Sequence, residues 1–173
     1  MNSKHRAAIA ICTIFALPFT AVASDIDLIG REGRLIGEAI FDTVDRSQKG
    51  LVHMGDMEAY RDDVFISMDE NDDGKVNYAE FSQWDPGFIY VAEQVGRKDA
   101  YVTASKIVFS FWDKNGDGEM TVREMRLAMI ADLKRADQND DAVLTKEEFI
   151  SGFPIIVAMR AAMGITTCAL TRL

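Results

Sequence analysis

The stretch DKNGDGEMTVRE, residues 113–124, brings four acidic side chains together within twelve residues. Carboxylates this close repel one another, so the folded protein must compensate their charge. Two kinds of chemistry use such groups: acid–base catalysis, and the binding of a hard cation that prefers oxygen ligands. Similar stretches begin at Asp69 and Asp137, and a weaker copy begins at Asp45. This recurrence favours a repeated binding element over a single catalytic centre.

The four acidic stretches follow a regular spacing. Their first residues lie 24, 44 and 24 residues apart, which indicates a duplicated pair. Apolar residues at helical spacing separate them, so each stretch is predicted to be a loop between two helices. In chain order they are loop one (45–56), loop two (69–80), loop three (113–124) and loop four (137–148).

Loops two and three match the pattern D-x-[DN]-x-[DN]-G-x5-E at every position. On these residues the chain, from about Ile26 to Phe153, resembles the EF-hand calcium-binding proteins of the calmodulin-like superfamily. The resemblance implies an all-α fold with four helix–loop–helix calcium loops in one domain. It also implies Ca²⁺ as the bound ion.

The resemblance assigns candidate ligands at positions 1, 3, 5, 7, 9 and 12 of a loop, with position 7 acting through its backbone carbonyl. In loop two these are Asp69, Asn71, Asp73, Lys75, Asn77 and Glu80. In loop three they are Asp113, Asn115, Asp117, Glu119, Thr121 and Glu124. In loop four they are Asp137, Asn139, Asp141, Val143, Thr145 and Glu148.

Loops four and one depart from the pattern. Loop four has Ala142 where glycine is usual, and left-handed backbone at a non-glycine residue costs about 1 kcal/mol. That energy is about a fivefold loss of affinity, so loop four is still expected to bind. Loop one has Lys49 at position 5 and the short Asp56 at position 12. We expect loop one to support the fold without an ion, and whether it binds one stays open.

The spacing predicts which loops meet. A helix over residues 54–68 would be about 22 Å long, which puts loops one and two at its opposite ends. Loops three and four are expected to share a helix in the same way. Loop two should then pair with loop three through Val76 and Met120, and loop one should lie near loop four. Between loops two and three there is room for two helices and a turn.

The helices are predicted from apolar faces and from one break. At the break WDPG, residues 84–87, Asp85 is expected to cap a helix that has Pro86 at its first position. The apolar residues at helical spacing fall into four sets: Ile26, Ile29, Ile36 and Ile40; Met57, Tyr60, Val64 and Met68; Tyr101, Ala104, Val108 and Trp112; and Val122, Met125, Met129 and Leu133.

The chain is divided into three segments. Residues 1–23 have the basic start, apolar run and small-residue cleavage site of a signal peptide, cut near Ala23. This predicts a periplasmic or secreted protein, and with the 24-residue loop spacing it resembles small EF-hand proteins of bacterial periplasms. Residues 24–153 would form the EF-hand domain. Residues 154–173 would pack on it as an apolar helix, which contains a charge and is short for a stable membrane span.

The formal net charge of −9 argues against nucleic acid as a partner. The chain contains no metalloprotease, serine-hydrolase or phosphate-loop motif, so we expect no enzyme activity. A calcium sensor with an unidentified protein target, or a calcium-stabilised protein, is the favoured function. A passive buffer and a regulatory subunit of an enzyme are the alternatives. In a sensor, Ile155, Ile156, Met159 and Met163 would fill the groove for a target helix.

Overall fold

The computed structural model describes residues 20–164, with side chains described from Arg31 onward. The predicted signal peptide therefore lies mostly outside the described residues. The same is true of the last part of the predicted C-terminal segment, including Cys168.

Within the described residues the chain is mostly helical, with eight helices and four strands of three residues each. The helices are α1 (Thr20–Val44), α2 (Met54–Met68), α3 (Tyr78–Gln83), α4 (Phe88–Gln94), α5 (Lys98–Trp112), α6 (Val122–Ala136), α7 (Lys146–Gly152) and α8 (Pro154–Met163). The strands are β1 (Leu51–His53), β2 (Lys75–Asn77), β3 (Glu119–Thr121) and β4 (Val143–Thr145).

The apolar faces expected from the sequence form most of the core. On α2, Met57, Val64 and Met68 are buried, and on α6 Met125, Met129 and Leu133 are buried. Val122 is different, because it is 41% exposed at the first position of α6. Val122 shares the helical spacing of its set but lies outside the core, at the point where β3 ends and α6 begins.

The four short strands lie inside the acidic loops and join them in pairs. Strand β2 pairs with β3 in antiparallel fashion, and Val76 lies opposite Met120. Strand β1 pairs with β4, and Val52 lies opposite Leu144. The predicted pairing of loop two with loop three, and the proximity of loop one to loop four, are therefore confirmed.

Helices α2 and α6 each connect two acidic loops. Helix α2 runs from β1 to the start of loop two, and α6 runs from β3 to the start of loop four. The two helices pack against each other, and Arg126 on α6 pairs with Glu58 on α2 at 2.7 Å. Each helix therefore carries one loop of each pair, as the 24-residue spacing predicted.

The segment between loops two and three contains three helices, α3, α4 and α5, rather than the two that were predicted. Asp85 does cap a helix, since its carboxylate accepts the backbone N–H groups of Phe88 and Ile89 at 3.0 and 3.1 Å. Pro86 is not the first helical residue, because α4 begins at Phe88. Gly87 lies between them at a φ of 117°, a conformation that favours glycine and separates the proline from the helix.

Helix α8 contributes the last part of the core in chain order. It packs against α5, α1 and α4, and its buried side chains are Ile156, Met159 and Met163. Arg97 holds the end of α8, because its guanidinium donates to the Ala162 carbonyl at 3.2 Å. Among the described helices, none combines the length and the apolar character needed to cross a membrane.

Candidate metal centre

All four acidic loops make the same turn around their first residue. In each, the aspartate at position 1 accepts the backbone N–H of position 6, so the chain curls around its carboxylate. The distances are 2.6 Å for Asp45 and Gly50, 2.9 Å for Asp69 and Gly74, 2.9 Å for Asp113 and Gly118, and 2.9 Å for Asp137 and Ala142. The repeat seen in the sequence is therefore a repeat of local structure.

The last residue of each loop fixes the start of the next helix. In loop three, Glu124 accepts the backbone N–H of Thr121 at 3.0 Å, while the Thr121 hydroxyl accepts the N–H of Glu124 at 3.2 Å. This reciprocal arrangement is a capping box. Thr145 and Glu148 form the same box in loop four. In loop two, Asn77 and Glu80 do so at the start of α3.

In loops three and four this glutamate also joins the two ends of the loop, because it accepts backbone N–H groups near the start of the loop. The second oxygen of Glu124 accepts the N–H groups of Lys114 and Asn115 at 3.1 and 3.2 Å. Glu148 accepts the N–H of Gln138 at 3.2 Å. One oxygen of each glutamate is therefore bonded to the start of the loop and the other to its end, at the position that binds calcium in bidentate fashion in EF-hand loops.

Burial of the candidate ligands follows their position in the loop. The position-12 glutamates Glu80, Glu124 and Glu148 are buried, and so is Asp113 at position 1. The side chains at positions 3 and 5 are exposed: Asn71, Asp73, Asn115, Asp117, Asn139 and Asp141. Each loop is therefore anchored at its two ends and open to solvent in between. An ion can enter from that open side.

Hydrogen bonds keep these carboxylates in the charged form. Burial raises the pKa of Glu124, but hydrogen bonds from Thr121, Asn115 and Lys114 outweigh it and leave the pKa below its usual range. Hydrogen bonds from Thr145 lower the pKa of Glu148. Those from Glu119 and Asn115 lower the pKa of Asp117. The loops therefore present ionised oxygens at neutral pH, the form that binds a cation.

The donor set fits a hard dication better than a soft one. Within residues 31–164, no three Asp, Glu, His or Cys side chains lie close enough to one another to hold a metal by themselves. The loops instead combine carboxylates with amide, hydroxyl and backbone carbonyl oxygens at six positions. Such mixed oxygen sets of six to eight ligands suit Ca²⁺, whereas zinc prefers nitrogen and sulfur.

The two departures from the pattern have visible consequences. Ala142 adopts a φ of 66°, as the glycines at the equivalent positions do, so its backbone carries the strain expected from the sequence. In loop one Asp45 accepts the backbone N–H groups of Lys49 and Gly50, as Asp69 and Asp137 accept those of positions 5 and 6 in their loops, so loop one differs at position 12 rather than at position 1. Asp56 accepts only the N–H of His53, and its shorter side chain makes no bond across the loop within the described residues.

Sequence reasoning missed two contacts around these loops. Lys75 in loop two forms an ion pair with Glu119 in loop three, so the two loops are linked by charge as well as by the β2–β3 pairing. The opposite charges at position 7 of the two loops were the available signal. Behind loop three, the indole N–H of Trp112 donates to the buried carboxylate of Asp132 at 3.0 Å. No spacing rule in the sequence indicated that bond.

A family model described as the EF hand matches residues 61–83. This segment contains the second half of α2, all of loop two and α3. No significant match was found among the curated proteins or among the solved structures. The match, on the loop whose sequence pattern is complete, supports an EF-hand protein and suggests that it binds calcium.

Proposed function

We propose that this chain is a non-catalytic, periplasmic or secreted protein that binds calcium through loops two, three and four of a single four-loop domain. The observation that carries the proposal is the closure of loops three and four by Glu124 and Glu148, whose carboxylate oxygens are already held in place. Preformed ligands lose little conformational freedom when an ion arrives, which favours binding. The small bacterial EF-hand type and the cleaved signal peptide belong to the same proposal.

The geometry best supports a calcium-stabilised protein. Each candidate loop joins two helices, and each pair of loops joins two parts of the chain that are distant in sequence. An ion bound in a loop therefore adds a connection between parts of the chain that the three-residue strands already join. Calcium that binds the native state and not the unfolded chain stabilises the native state by mass action. The stabilisation is about 2.7 kcal/mol when free calcium is a hundredfold above Kd.

A calcium sensor is the second candidate, and the core favours it at one place. A cavity of about 50 Å³ lies between the helices, and its lining includes Met57, Met125 and Met159. Methionine side chains repack easily, so such surfaces adapt to partner helices. Here Met159 comes from α8, and in a sensor α8 would fill the groove for a target helix. The partner in this case is an unidentified protein. If that partner is an enzyme, this chain would be its regulatory subunit.

Calorimetric titration of residues 24–173 with calcium tests the proposal. We expect about three bound ions. Glu124→Gln keeps the helix cap, because glutamine also forms a capping box, but it removes a charged ligand. We therefore expect this variant to lose one ion. Asp56→Asn, the matched change in loop one, should lose none.

The outcomes separate the candidates. No binding by the wild-type chain would refute the proposal, and so would equal losses in the two variants. A large rise in hydrophobic-dye fluorescence on adding calcium would favour the sensor. Binding without that rise would favour the calcium-stabilised protein or a passive buffer. A higher melting temperature in calcium would then distinguish stabilisation from buffering.

A further inference from the structure

A second cavity, of about 260 Å³, lies between α5, the first turn of loop three, α6 and the start of α8. Phe111 and Ile155 contribute apolar wall, and Phe111 is 67% exposed although it is a large aromatic side chain. The cavity is slightly smaller than the roughly 300–1,000 Å³ of pockets that enclose drug-sized ligands. Its size therefore suits a molecule with one ring.

The charges around this cavity differ from those of the protein as a whole. Lys114 and Arg135 both line it, together with one carboxylate, that of Asp132. The cavity therefore has a local charge of about +1 in a chain whose net charge is −9. A surface this acidic repels anions elsewhere, so two cations beside an apolar wall are a distinctive feature.

The carboxylate in the cavity is already satisfied. Asp132 is buried, accepts the Trp112 indole N–H at 3.0 Å and pairs with Arg135 at 2.6 Å. Within residues 31–164, the ammonium group of Lys114 takes part in none of the ion pairs. Lys114 is thus the cation that remains available for a ligand, and Arg135 can share its guanidinium N–H groups.

From this arrangement we propose that the cavity binds a small organic acid with one flat apolar ring and one carboxylate. The ring packs on Phe111 and Ile155, and the carboxylate pairs with Lys114 and Arg135. Apolar lining with a few placed polar groups is the usual composition of small-molecule sites. None of the candidate calcium ligands lines the cavity, but Lys114 follows Asp113 in loop three and its backbone N–H donates to Glu124, so binding is tested with calcium present.

The test uses 3-phenylpropanoate as the probe, with the full chain saturated with calcium. The indole N–H signal of Trp112, observed by ¹H–¹⁵N NMR, reports binding because Trp112 lines the cavity. Trp112 also lines the 50 Å³ cavity between the helices, but Trp84 lines only that one, so Trp84 serves as the internal control for binding there. We expect a saturable shift of the Trp112 signal alone, with a Kd of about 5 mM or tighter for a ligand of this size.

Matched variants test the two contacts. Lys114→Gln should weaken binding about threefold or more, whereas Lys134→Gln, the same change on α6 outside the cavity, should leave it unchanged. Phe111→Ala should also weaken it, and 3-phenylpropan-1-ol, which lacks the charge, should bind less tightly than the acid. Equal effects of the two lysine variants would overturn the proposal. So would equal binding of the alcohol, or no saturable Trp112 shift at about 20 mM.

Discussion

Val52 of loop one lies directly opposite Leu144 of loop four, and both side chains are fully buried. Loop one has the weakest ligand set of the four loops, whereas loop four has a nearly complete one. The pairing gives loop one a role that does not require an ion, because it holds one edge of loop four in place. Defects in loop one should therefore appear as defects in loop four.

Val52→Ala tests this relationship. Removing two buried methyl groups should lower the free energy of unfolding by about 1–3 kcal/mol. It should also weaken calcium binding at loop four more than at loop three, because only loop four pairs with β1. Chemical denaturation and calorimetric titration measure the two effects. The control Val157→Ala removes the same groups from a side chain on α8, outside all four loops, that is 37% exposed, and it should change both quantities little.

Ala142→Gly should strengthen loop four. Ala142 has a φ of 66°, and glycine adopts this conformation without the steric penalty of a Cβ atom. The relief of about 1 kcal/mol corresponds to about fivefold tighter calcium binding at this loop. Gly118→Ala is the reverse change at the same position of loop three, where φ is 85°, and it should weaken binding there. Unchanged affinities in both variants would show that position 6 does not limit binding.

Asp132→Asn should alter the pH dependence of stability. Burial raises the pKa of Asp132, and hydrogen bonds from Trp112 and Arg135 only partly oppose this effect. The native state therefore holds this proton more tightly than the unfolded chain does, and the associated stability is lost as pH rises above the ordinary value of 3.8. Asparagine has no titratable carboxyl group, so the variant cannot lose this contribution to stability as pH rises.

The measurement for this variant is the free energy of unfolding in chelator, from about pH 3.5 upward. The difference, variant minus wild type, should rise with pH and level off once the native carboxyl is ionised. Asparagine still offers an oxygen to the Trp112 indole, so that bond should persist in the NMR spectrum. A difference that stays constant or falls with pH would contradict the raised pKa.

Removal of residues 154–173 tests the position of α8 in the core. Ile156, Met159 and Met163 are the buried side chains of α8, so loss of the helix uncovers the apolar surface of α5, α1 and α4 on which it packs. We expect hydrophobic-dye binding in calcium to increase, with the helical circular dichroism of the rest retained. Removal of residues 165–173 alone is the control, since it leaves α8 intact, and it should bind no more dye than the full chain. No increase with the fold intact would exclude a groove beneath α8.

The loops and the shared helices were predictable because they depend on local patterns. Asp69 and Glu80 mark the two ends of a twelve-residue pattern, and Met57, Val64 and Met68 mark one face of α2. The pairing of Val76 with Met120 followed from helix length, since a helix of fixed rise cannot bring its own two ends together. In each case the distance along the chain determines the distance in space.

The remaining features depend on contacts between distant residues. Whether Asp132 is exposed or buried depends on how α5 packs on α6, and no pattern around residue 132 contains that information. The start of α4 at Phe88 depends on the turn that Gly87 permits and on Asp85, whose carboxylate also accepts the Tyr101 hydroxyl. The charged cavity combines residues from three helices and loop three, so it exists only in the folded chain.

The crossed pairing of the loops has a consequence for assembly. If α1 to α4 are one half of the chain and α5 to α8 the other, each two-stranded sheet takes one strand from each half. This is the arrangement of an isologous homodimer, in which both copies use the same surface patch, so that one strand of the first copy meets another strand of the second and the reverse contact also occurs. Here both copies are joined in one polypeptide, so the interface forms at any protein concentration and neither half can complete a sheet alone.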